Sequence, residues 1–140
     1  MLRFLSAFAI LLLALTAQFA LANAGLHLDL VLAVLITFAF TFNFWELAVF
    51  VLFSVFLLNW KSQPSDTLIL FALIPLAAFA FRKLVHSEAW IGNLIAIIVG
   101  FLIFSIAPAP TLFLTNIVPF LMDLIVGLLV GEIILLSYSQ

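Results

Sequence analysis

Four basic and six acidic side chains are spread over 140 residues, and several of the apolar stretches between them approach the length of a bilayer crossing. Hydrophobic residues make up 69% of the chain, against roughly 45–50% in soluble domains, so a water-soluble core could not hide them all. The composition therefore reads as an all-α integral membrane protein, because helices satisfy their own backbone groups in lipid. One transmembrane helical domain over residues 1–140 accounts for the length.

Arg3 precedes an apolar run over residues 4–22, long enough for a bilayer core that takes roughly 20 residues. Residues 1–24 also carry the marks of a signal peptide: a charged start, a leucine-rich middle and Ala22-Asn23-Ala24 before Gly25. The run is longer than the roughly 7–15 apolar residues of such signals, and Gln18 sits late within it, which favours retention as a first helix. Residues 26–60 are again largely apolar. As one helix they would extend about 50 Å, far beyond a core of roughly 30 Å, so the chain must fold back. Asn43, with Glu46 three residues later, supplies a capping-box pattern at the turn. Two short spans result, over residues 28–42 and 44–58.

A polar connection at Lys61, Ser62, Gln63, Pro64, Ser65 and Asp66 leads to a fourth apolar run, residues 67–81, with a kink expected at Pro75. Arg82, Lys83, His86, Ser87 and Glu88 form the next connection, and Trp90 opens a fifth span that ends near Ile106. Pro108 and Pro110 stop that helix, since neither has an amide donor and both restrict the residue before them. Residues 112–136 make the sixth span. The expected fold is a six-transmembrane-helix bundle with short second and third helices. Lysine and arginine in short loops favour the cytoplasmic side. Six spans place Arg3, Arg82 and Lys83 together inside and leave Lys61 alone outside, whereas five would divide the four evenly. The expected location is the inner or plasma membrane, multi-pass, with a cytoplasmic N-terminus.

Several function classes are excluded by what the chain lacks. Without cysteine there are no disulfides, thiolate nucleophiles or cysteine-ligated metals. A net charge of −2 leaves no basic stripe for nucleic acid. His27 and His86 fall on opposite sides in the six-span topology, and no Ser-His-Asp order, HExxH, glycine-rich phosphate loop or CxxC occurs. The expectation is a non-enzyme with no cofactor and no metal.

Ionisable groups at membrane depth cost at least a few kcal/mol, so each is a functional candidate. Asp123 is the deepest, near the midpoint of the last expected span. Gly127 and Gly131 follow it at i+4 steps on one helix face, and the Gly127–Gly131 GxxxG pattern permits close helix approach. Such a carboxylate either binds a cation, polar ligand or partner, or forms a protonated interhelical hydrogen bond, with Asn93 or Asn116 as partner. Asp29, at the start of the second span, suits the positive helix N-terminus. Asn93, near Gly92 and Gly100, suggests tight packing in the fifth span. Glu132 is assigned to the cytoplasmic interface, about 180° around the helix from Asp123, so the two acids are no catalytic pair. Of the seventeen phenylalanines, Phe40, Phe42, Phe44 and Phe53 are assigned to lipid contact rather than to a hydrophobic ligand. Arg82 and Lys83 can also meet anionic lipid.

A first helix carrying Gln18, a short turn, and then Leu26-His27-Leu28-Asp29-Leu30-Val31-Leu32-Ala33 leading into two short helices resembles the N-terminal half of the rod-shape-determining MreD family. There a Pro-Asp-Leu-type element commonly opens the second helix. Asp29-Leu30 matches that element, and His27-Leu28 stands at its proline position. The resemblance covers residues 1–60 in pattern and the later spans in number and size. It implies a non-enzymatic scaffold subunit of a cell-elongation and peptidoglycan-synthesis machinery that binds a bitopic MreC-like partner. That family is similar in fold to the substrate-binding S components of energy-coupling-factor vitamin transporters, so a transporter subunit is the alternative. An ion-coupled carrier built on Asp123 is a third reading. The outer loops carry few ligand-reading side chains, which favours the scaffold.

Overall fold

A computed structural model describes residues 2–24, 29–58, 66–84, 88–106 and 117–139. Among them are six helices and no strand: α1 (Leu2–Asn23), α2 (Leu30–Ala39), α3 (Phe44–Leu58), α4 (Asp66–Leu84), α5 (Ala89–Ile106) and α6 (Ile117–Ser139). The expected positions of His27, Lys61, His86, Asn116, Pro108 and Pro110 lie outside the described residues.

The fold-back expected between the second and third helices is present. Asn43 Oδ1 accepts the Glu46 amide at 3.0 Å and so caps the start of α3, while Glu46 Oε1 accepts from the Asn43 side-chain Nδ2 at 3.1 Å rather than from its backbone amide. The second helix is shorter than expected. It has ten residues, from Leu30 to Ala39, a rise of about 15 Å. All ten are buried. The sequence explains this, because Leu-Val-Leu-Ala-Val-Leu-Ile-Thr-Phe-Ala has no polar face to turn outward, and a helix apolar all round must be enclosed. α2 packs against α1, α3, α4, α5 and α6 and is the axis of the bundle.

The other helices each present one face to α2 and leave large apolar side chains exposed on the other. Leu13 on α1, Leu52 and Phe56 on α3, Leu73 on α4, Val99 on α5 and Ile125 on α6 are examples. By length and composition α1 and α6 can each cross a bilayer. α4 continues through Pro75.

The lipid assignment for the phenylalanines needs correction. Phe40 and Phe42 are buried, while Phe44 remains exposed. Phe4, Phe8, Phe38, Phe42, Phe50 and Phe53 stack on one another where α1, α2 and α3 meet, with ring centroids about 5 Å apart. Edge-on and offset contacts of this kind add to simple burial, so the phenylalanines of α2 and of its turn form core rather than coat.

Candidate functional site

A buried helix leaves amide donors at its start and carbonyl acceptors at its end without intrahelical partners, and no water replaces them. Polar side chains from neighbouring helices answer that need at both ends of α2.

At the N-terminal end the groups come from α1, α6 and the residue before α2. Asp123 Oδ1 accepts the Asp29 amide at 2.7 Å. Gln18 Oε1 accepts the Val31 amide at 3.0 Å. The Asp29 carbonyl accepts the Ala33 amide, which begins the helical ladder. Asp29 is thus the N-cap residue, as its position in the sequence suggests, yet its own carboxyl makes no capping bond. Instead the Asp29 and Asp123 side chains adjoin each other. Asp123 is only 6% exposed. Of the expected partners, Asn93 bonds Glu132 instead, and Asn116 lies outside the described residues. Asp123 is also the seventh residue of α6, so it lies in the helix's first third rather than at its middle.

At the C-terminal end two arginines close the α2–α3 turn. Arg3 Nη2 donates to the Thr41 carbonyl at 2.7 Å, and Arg82 Nη1 donates to the carbonyls of Ala39 and Phe42, each at 3.1 Å. Cations suit the negative end of a helix. The Arg3 guanidinium also lies over the rings of Phe42 and Tyr138, and Ser6 and Tyr138 share a hydroxyl hydrogen bond of 2.9 Å. Arg3 and Arg82 therefore gather at one end of the bundle. Lys83, next along α4, packs its ammonium against Phe79.

The glycines expected to form a seam do so. A Cβ on Gly127 would stand 2.7 Å from Phe101 Cζ and 3.5 Å from Ala33 Cβ; on Gly131 it would stand 2.5 Å from Ile97 Cδ1 and 2.8 Å from Thr37 Oγ1. α6 thus approaches both α2 and α5 through these positions. Beside Gly131 lies a second polar group. Asn93 is fully buried and donates from Nδ2 to Glu132 Oε1 at 3.4 Å, while its Oδ1 has no partner. Glu132 is partly exposed, and this contact with α5 replaces the purely interfacial role expected for it. Asp123 and Glu132 are not brought together, in keeping with their positions on the helix.

Sequence reasoning missed Gln18 and Arg82 as helix caps and the joining of Asn93 to Glu132. One signal could have found the caps: a short, wholly apolar helix needs acceptors at its start and donors at its end, and the chain has few polar residues to supply them. Among the described residues no group of three potential metal ligands occurs. Compared with known proteins, the chain matches no family model, no curated protein and no solved structure.

Proposed function

We propose that this protein is a six-span membrane scaffold subunit without catalytic activity, its N-terminus cytoplasmic, serving a cell-shape and wall-elongation complex by binding a bitopic MreC-like partner. The observation that carries this reading is the use of the polar groups at the two ends of α2. Asp123 and Gln18 accept the Asp29 and Val31 amides at the start of α2, and Arg3 and Arg82 donate to the carbonyls at its end and in the following turn. Groups occupied in this way hold a frame rigid.

A carrier or a substrate-binding subunit needs a cavity with convergent polar groups. The cavity between α4 and α5, about 210 Å³, is lined by apolar residues including Ile74, Ala78, Phe81, Ala96 and Ile103. Membrane insertion is supported by the length and apolar character of α1 and α6 and by the exposed apolar faces of the other helices. Orientation is supported by Arg3 and Arg82 sharing one end, with Lys83 adjoining, as the preference of cations for the cytoplasmic side requires. The resemblance of residues 1–60 to the MreD family directs the scaffold reading to cell elongation.

The test is purification of the tagged chain from native membranes. Recovery of an MreC-like bitopic protein supports the scaffold. Recovery of two ATPases with a transmembrane coupling subunit replaces it with the vitamin-type transporter.

A further inference from the structure

The outward face of α6 carries Val118, Met122, Ile125 and Leu129 at alternating steps of four and three residues, each more than half exposed, and Glu132 continues the same stripe. Stepping of this kind follows any helix surface; an acid within the stripe does not. Glu132 lies six residues before Tyr138, whose ring adjoins Arg3 at the basic end, so its carboxylate is about 9 Å further along the axis. In a bilayer that depth is hydrocarbon, where an ionised carboxylate costs at least a few kcal/mol unless paired. Among the described residues its one hydrogen bond is the long 3.4 Å contact from Asn93. The basic side chains described are engaged elsewhere: Arg3 and Arg82 on the α2–α3 turn, Lys83 on Phe79.

We infer that this stripe of α6 is the docking face for a single transmembrane helix that presents a lysine or arginine to Glu132. The inference deepens the scaffold reading and rests on it. Charge complementarity selects the occupant. A second copy of this chain would bring another Glu132 to the same depth, and lipid acyl chains have no donor. Asn93, locked in the α5–α6 seam, fixes the carboxylate at the edge of the exposed stripe. Flanking apolar residues supply the contact area, and a polar residue at one position of such a seam sets register and partner.

The experiment uses the full chain in phosphatidylcholine vesicles with a fluorescent leucine-rich single-span peptide, neutral at both ends. One version carries a lysine seven residues from an end, and the control has leucine there. Energy transfer should show the lysine peptide associating about tenfold more strongly, near the upper range of a single polar contact between membrane helices. Glu132→Gln should abolish that difference, whereas Glu46→Gln, at an exposed helix start, should preserve it. Equal association of the two peptides, or an advantage surviving in Glu132→Gln, overturns the inference; unfolding curves of both variants establish that the bundle is intact. Photo-crosslinkers at Leu129 on α6 and at Leu73 on α4 separate this inference from the reading beneath it. A bitopic partner captured from α4 alone overturns the α6 face and leaves the scaffold. Lysine-dependent association with no bitopic partner captured in native membranes supports the face and overturns the scaffold.

Discussion

Replacing Asp123 by alanine and by asparagine separates the two ways a buried acid can stabilise this bundle. Alanine removes the acceptor of the Asp29 amide, a bond of 2.7 Å, and strands a part-buried donor. An orphaned buried amide costs about 1–3 kcal/mol. The Asp29 carboxyl also loses its neighbour. The expected loss for Asp123→Ala is about 2 kcal/mol, roughly thirtyfold in the folded-to-unfolded ratio. Asparagine keeps an oxygen where the Asp29 amide points and presents an amide donor to the neighbouring Asp29 carboxyl. Asp123→Asn should therefore lie within about 0.5 kcal/mol of the unsubstituted protein. The assay is unfolding in mixed micelles by increasing dodecyl sulfate, followed by circular dichroism. If asparagine is as damaging as alanine, Asp123 acts through its charge rather than as the acceptor of the Asp29 amide. If alanine is harmless, the clamp at the start of α2 contributes nothing.

Arg82→Met should cost about 2–3 kcal/mol, since one substitution leaves the carbonyls of Ala39 and Phe42 without their donor; faster hydrogen exchange confined to the α2–α3 turn would check it. Gln18→Leu removes the acceptor of the Val31 amide and should lower stability by about 1–2 kcal/mol in the same unfolding assay. Gly127→Ala sets a methyl 2.7 Å from a ring atom of the buried Phe101; overpacking of about 1–3 kcal/mol outweighs the roughly 1 kcal/mol of helix propensity gained, giving a net loss on unfolding. Asn43→Ala removes the N-cap of α3 and should cost about 1 kcal/mol, with normal unfolding of that variant counting against the cap.

Local signals carried the helix boundaries well where the physics is local. The fold-back at Asn43 and Glu46 was legible because an N-cap and its reciprocal partner lie three residues apart on one segment. The close approach at Gly127 and Gly131 was legible because only a missing side chain allows it. Asp29 was legible as a cap by position. Its carboxyl, however, turns to Asp123, ninety-four residues away, and no local pattern specifies such a pairing. Asn93 was recognised as a packing residue, but its bond to Glu132 depends on how α5 and α6 are rotated against each other.

The sequence by itself determined that the chain is helical and too apolar for a water-soluble core, that it reverses near Asn43, and that a small-residue seam runs along the last helix. Each of these follows from residues within a turn or two of one another. Only the tertiary structure decided that α2 is the enclosed axis of the bundle and that Gln18, Asp123, Arg3 and Arg82 serve its two ends. The reason is physical. The unmet amides and carbonyls of a buried helix constrain the bundle only when neighbours have excluded solvent, and which side chains answer them is set by the packing of helices distant in sequence.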